Sequence, residues 1–179
     1  MPFNDRQFKE FLSEQEISDL LDDIAAQINK DYGINDRLLL VGVLKGAFIV
    51  MADLLRRLHS DVEVDFVRMQ NFGKSEKSPG TISVLRDISV DVSNRHVIIV
   101  EEIIDSGRTL QFLYDRLKMA KPLSIKVATL LDKKAKRLVK LNPDYVGKTV
   151  DDQFLIGYGL DLEERCRNLP EIHALKYPN

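Results

Sequence analysis

Strand-sized apolar runs, each separated from the next by a helical pattern or a polar turn, recur along this chain. Leu38 to Leu44 is an apolar run bounded by Arg37 and Lys45, the pattern of a strand buried on both faces. Val62 to Val67 reads as a second strand, Val97 to Val100 as a third, Ile125 to Leu131 as a fourth and Phe154 to Tyr158 as a fifth. Between them lie helical patterns at Ala47 to Leu58 and at Thr109 to Ala120, where Leu110, Leu113, Tyr114 and Leu117 share a face. Ahead of them all, Ser13 and Glu16 form a capping box before Ile17, Leu20, Leu21, Ile24 and Ile28, with Gly33 as the stop. Strand, helix, strand in succession predicts an α/β fold: a central parallel sheet flanked by helices. Ligands of such sheets sit at the carboxyl ends of the strands, so the turns that follow strands are the places to look.

The 179 residues suit one domain spanning 1–179, without repeats or a linker. With 44% hydrophobic and 30% charged residues, the chain has an ordinary globular composition. Cys166 is the lone cysteine, so no internal disulfide or cysteine metal site can form, as expected in a reducing compartment. The start of the chain lacks signal-peptide character and no run approaches the ~18 apolar residues of a membrane span. A cytoplasmic protein without a membrane partner is expected. A net charge of −2 calls for no nucleic-acid partner. His59, His96 and His173 show no spacing that suggests a metal site or triad.

The most informative stretch runs from Val97 to Leu110. A hydrophobic strand delivers Glu101 and Glu102, then Ile103 and Ile104, then Asp105-Ser106-Gly107-Arg108-Thr109. Ser106 and Thr109 supply hydroxyls, Gly107 permits a sharp turn with its amides inward, and the following helix start adds unpaired N–H groups. Together these make a phosphate cradle. Two carboxylates beside a phosphate need partners of their own, and a ribose diol and a Mg²⁺ ion suit them. Asp105 sits where a proton acceptor could act. An acidic turn that merely caps a helix is the plainer alternative. No Gly-x-x-x-x-Gly-Lys-Ser/Thr occurs, and Leu162 stands where a dinucleotide fingerprint starting at Gly157 needs its third glycine. Gln70 to Gly80 is polar, with two serines, two glycines and a proline; it reads as a surface hairpin or as a mobile lid.

The stretch from Val100 to Thr109 resembles the phosphoribosyl diphosphate (PRPP) motif of type I phosphoribosyltransferases, and Ile-Ile-Asp-Ser-Gly resembles their hypoxanthine-guanine branch. The likeness covers the chain from about Leu38 to the Arg167 region. It implies a core over about 35–160, a small hood built from the N-terminal segment and 160–179, and a mobile loop. It implies transfer of 5-phosphoribosyl from PRPP to a 6-oxopurine, with Mg²⁺ as cofactor. Leu44-Lys45-Gly46 matches the pyrophosphate loop, which carries a non-proline cis peptide, and Arg167 would bind the same pyrophosphate. Glu101 and Glu102 would hold the ribose hydroxyls, and Asp105 to Thr109, Arg108 included, would bind the 5′-phosphate, with Asp105 also acting as general base at N7. Ile103, Lys133, Phe154, Leu155 and Asp161 would surround the purine: Lys133 donates to the exocyclic oxygen, Phe154 stacks, and the Leu155 backbone reads an edge. Glu101, Glu102 and Asp161 would hold the metal, Asp161 through water. Asn71-Phe72-Gly73 would form the lid. The family's dimers and tetramers imply a homodimer or homotetramer.

Two departures from the family pattern bear on activity. Glu102 replaces the usual aspartate and carries its carboxylate ~1.5 Å further, where ~1 Å can cost ~100-fold in rate. Asn71-Phe72 replaces Ser-Tyr, which keeps the aromatic face and loses a hydroxyl. A preference for xanthine and a nucleotide-sensing, RNA-binding regulator on the same fold are the alternative readings; Lys133 to Lys140 offers the latter a short basic face.

Overall fold

A computed structural model describes residues 7–72 and 81–176. Its elements in order are β1 (Phe8–Leu12), α1 (Glu14–Asp31), β2 (Leu38–Leu44), α2 (Phe48–Leu55), β3 (Val62–Phe72), β4 (Thr81–Arg86), β5 (His96–Ile104), α3 (Arg108–Lys118), β6 (Ser124–Asp132), β7 (Tyr145–Thr149), β8 (Leu155–Ile156) and β9 (Ile172–Leu175). A six-stranded sheet has the order β4-β3-β2-β5-β6-β7, in which only the edge strand β4 runs antiparallel. A second, antiparallel sheet, β1-β9-β8, forms the small hood. Among the described residues no helix is long and apolar enough to cross a membrane.

The apolar runs follow from a sheet covered on both faces. Leu38 and Leu40 of β2, with Ile98 and Val100 of β5, enter one core with α1, α2 and the hood. Leu39, Val41 and Val43, with Val97 and Ile99, enter another under α3. Successive side chains point to opposite faces, so a strand with a core on each side needs apolar residues at every position.

The first helix carries both bonds of the capping box, Glu16 N–H to Ser13 Oγ at 3.3 Å and Ser13 N–H to Glu16 Oε2 at 2.8 Å. It ends at Asp31, with an extended Tyr32 as its C-cap and the expected glycine directly after the cap, where Gly33 N–H donates to Asp36 Oδ2 at 2.7 Å. The third strand runs on past Val100 and includes Glu101 and Glu102.

One expected strand belongs elsewhere. Only Leu155–Ile156 of the Phe154–Tyr158 run is strand, and it pairs antiparallel with β9 in the hood. The chain turns at Gly157, Tyr158 and Gly159, all at positive φ, too soon for a ladder on the main sheet. The fifth parallel strand is β7 instead. The loop residues Gly73 to Gly80, part of the expected lid, lie outside the described residues. Asn71 and Phe72 end β3, paired with Ile82 and Thr81.

Candidate functional site

The site grows from the carboxyl end of β5. Ile104 pairs in register with Asp132 of β6, so the next residues, Asp105 and Lys133, leave the sheet side by side. Lys133 N–H donates to Ile104 O at 3.0 Å, and Lys133 Nζ stands 3.0 Å from Asp105 Oδ1. Lys133 is only 7% exposed. Within a run of lysines it is the buried one, while Lys134, Ala135 and Lys136 turn outward in a short 3₁₀ helix.

Asp105-Ser106-Gly107 then turns the chain into α3. Gly107 takes φ 76°, a left-handed conformation that side chains resist, and a Cβ there would meet Arg137 Nη1 at 2.8 Å. Gly107, the N-cap, brings no side chain to cap the helix, and the first turn of α3 lines an open cavity together with Glu101, Ile103 and the turn itself. Uncapped N–H groups at a dipole's positive end suit a phosphate. Arg108 N–H donates to Ser106 Oγ at 3.5 Å, and Thr109 lies within the first turn.

Glu101 lines this cavity, while Glu102 points to the Lys45 loop. The Leu44–Lys45 peptide is cis, as the resemblance implies. A Cβ on Gly46 would stand 1.8 Å from Glu102 Oε1, so the glycine leaves the room that the longer acid fills. Burial pushes the Glu101 carboxyl well above the usual range, and the neighbouring Glu102 charge adds to this. Burial also pushes Glu102 up, against the opposing pull of Arg167.

Glu102 Oε2 is buried without a hydrogen-bond partner. An orphaned carboxylate oxygen beside a second acid fits a Mg²⁺ ion. Among the described residues no three Asp, Glu, His or Cys side chains converge on a point, so the ion would take its remaining oxygens from substrate and water. Both oxygens of Asp161 are engaged, Oδ1 by Arg167 at 3.0 Å and Oδ2 by the Glu164 N–H at 2.8 Å.

A second cluster forms around the Lys45 loop. Lys45 Nζ lies 2.8 Å from Glu164 Oε2, and Arg167 reaches Glu164, Asp161 and the Gly159 carbonyl. Hydrogen bonds from Lys45 and Arg167 hold the Glu164 carboxyl below its ordinary value. Phe154 is 42% exposed just before β8, Leu155 is buried in the strand, and Ile103 packs against the core.

Sequence reasoning passed over two participants. Arg137, only 8% exposed on its side chain, pairs with Asp132 and donates to the Asp105 carbonyl at 3.1 Å, bracing the turn from behind. Glu164 ties Lys45 to Arg167. Both sit in charged runs that look solvated, and neither carries a local signal of its partner.

Comparisons with known proteins identify the family. The sequence profile of the phosphoribosyl transferase domain matches residues 7–163. The hypoxanthine-guanine phosphoribosyltransferase of Aquifex aeolicus is 40% identical over 171 residues, 96% of each chain. That of Bacillus subtilis is 41% identical over 169 residues, 94% of this chain and 93% of its own. The solved structure of a hypoxanthine phosphoribosyltransferase from Staphylococcus aureus superposes with a TM-score of 0.90 at 35% identity, covering 96% of this chain and 94% of that one. Matched over residues 7–163 by the profile and over 94–96% of its length by these relatives, this chain belongs to the phosphoribosyl transferase family.

Proposed function

We propose that this protein transfers the 5-phosphoribosyl group of PRPP to N9 of hypoxanthine or guanine, giving IMP or GMP and pyrophosphate. The observation that carries the reading is the Asp105–Lys133 pair at the mouth of the phosphate turn. A 6-oxopurine presents an acceptor at O6 and a titrating nitrogen at N7 on one edge. The Lys133 ammonium donates to the first and the Asp105 carboxylate takes the proton at the second. Adenine would set an amino donor against the ammonium and be rejected.

The other groups divide the remaining work. The amides and hydroxyls from Ser106 to Thr109 hold the 5′-phosphate, and Glu101 and Glu102 accept from the ribose hydroxyls. Phe154 stacks on the base, with Leu155 along its edge and Ile103 beneath. Lys45 and Arg167 receive the departing pyrophosphate while positive charge develops on the ribose ring. Glu101, Glu102 and, through water, Asp161 would hold Mg²⁺, which would supply charge to neutralise the leaving group. Asn71 to Gly73 belong to a lid that keeps water from the cationic ribose. The lone cysteine suits a cytoplasmic enzyme, and the family resemblance suits a homodimer or homotetramer.

Nucleotide formation from PRPP and Mg²⁺, with hypoxanthine, guanine, xanthine and adenine supplied one at a time, tests the reading. IMP and GMP should form, adenine should be inert, and Asp105→Asn should lose roughly 10²–10⁴ in rate. A dominant xanthine activity would overturn the base assignment, and no turnover with any base would overturn the transferase reading.

A further inference from the structure

The two cations assigned above to the pyrophosphate already share one anion. Glu164 Oε2 stands 2.8 Å from Lys45 Nζ and 3.1 Å from Arg167 Nη2. An oxygen that bridges two cations from separate loops has the arrangement expected of a pyrophosphate oxygen. The loop imposes this position on the side chain. Glu163, Glu164 and Cys166 take φ of 50°, 65° and 68°, a region that residues other than glycine rarely adopt, and such outliers gather at ligand clamps. Reciprocal backbone bonds between Leu162 and Arg165, at 3.1 and 3.0 Å, and the Glu164 N–H on Asp161 hold the loop in shape. The Glu164 side chain remains 63% exposed, on an open cavity lined also by Arg68 and Gln70, so it can swing away without disturbing the core.

We propose that Glu164 is an internal substitute for pyrophosphate: between turnovers it keeps Lys45 and Arg167 aimed at a common point, and it competes with PRPP on arrival and with pyrophosphate on departure. The inference rests on the assignment of Lys45 and Arg167 to the pyrophosphate. PRPP displaces the single carboxylate because its diphosphate carries more charge and more oxygens. The carboxylate's return then helps the product leave, and it separates two cations that would otherwise repel each other at close range.

The test is calorimetric binding of inorganic pyrophosphate with Mg²⁺ to the full chain, together with the KM for PRPP. Wild type is compared with Glu164→Gln, with Glu164→Ala, and with Glu163→Gln, which removes the same charge from the adjacent position. Both Glu164 variants should bind pyrophosphate roughly three- to tenfold more tightly and show a matching fall in KM for PRPP, the size expected for releasing exposed ion pairs. The KM for the purine should not move, and Glu163→Gln should resemble wild type. Binding that is unchanged or weaker in the Glu164 variants overturns the inference and leaves the pyrophosphate assignment standing. An equal gain in Glu163→Gln reduces the effect to general charge and also overturns it. If wild type and all variants fail to bind pyrophosphate, the assignment of Lys45 and Arg167 falls, and the inference with it.

Discussion

Glu102 and Gly46 are best understood as one unit. The family's usual aspartate would leave its carboxylate short of the Lys45 loop, whereas here the longer acid reaches the bare Cα of Gly46. The extra methylene is therefore accommodated from across the site and not by the β5 backbone alone. A methyl group at Gly46 would fall 1.8 Å from Oε1 and 2.1 Å from Cδ of Glu102. Gly46→Ala should consequently lower kcat/KM for PRPP by about 100-fold, through displacement of the acid. Glu102→Asp, which retracts the carboxylate by ~1.5 Å, should restore roughly tenfold in the double variant. A double-mutant cycle on kcat/KM measures the coupling, and strict additivity of the two changes would mean that the contact has no part in catalysis.

Beyond single side chains, the element that carries the loop before β5 is held by one buried acid. Asp65 of β3 accepts from Ser89 N–H at 2.6 Å, Ser89 Oγ at 3.1 Å, Val90 N–H at 3.2 Å and Phe66 N–H at 2.7 Å. Burial alone would raise its pKa, but these bonds outweigh burial and the net direction is down. Because folding lowers the pKa, the stabilisation is complete above the ordinary aspartate range and is lost as pH falls through the depressed value. Asp65→Ala should cost about 3 kcal/mol near neutrality, and less in acid, since it strands several buried donors. Urea unfolding at several pH values checks this, and a cost independent of pH would contradict it. The same scale explains what could be read in advance. β2 and β5 were legible because a strand between two cores must be apolar throughout. β4 was not, since none of its side chains is fully buried and its pattern is weak. β7 is short and interrupted by Gly147. Phe154 to Tyr158 misled because an apolar run states burial and says nothing of which sheet provides it. The phosphate turn could be recognised locally, whereas the partnership of Lys133 with Asp105 depends on the β5–β6 register, and that of Lys45 with Glu164 spans 119 positions.

Across the whole molecule, the two cores meet along the main sheet, and the site lies where the strands of that sheet end. The hood joins this arrangement through Ile172, which is fully buried with Leu12, Leu155 and Ala174 in the first core. Ile172→Ala should lower stability by roughly 2–5 kcal/mol. It should also raise the KM for the purine more than that for PRPP, because Phe154 and Leu155 depend on β9 while the phosphate turn does not. Denaturant unfolding and steady-state kinetics read the two effects, and equal changes in both KM values would contradict the division. The pairing of β1 with β9 has a further consequence, because Phe8 lies opposite Leu175. On the ribosome, β1 emerges before the whole main sheet, and it must wait for β9, which follows that sheet, before its partner exists. Until then its hydrogen-bonding edge is open to other chains, and the purine side of the pocket, which leans on β9, takes shape after the phosphate turn.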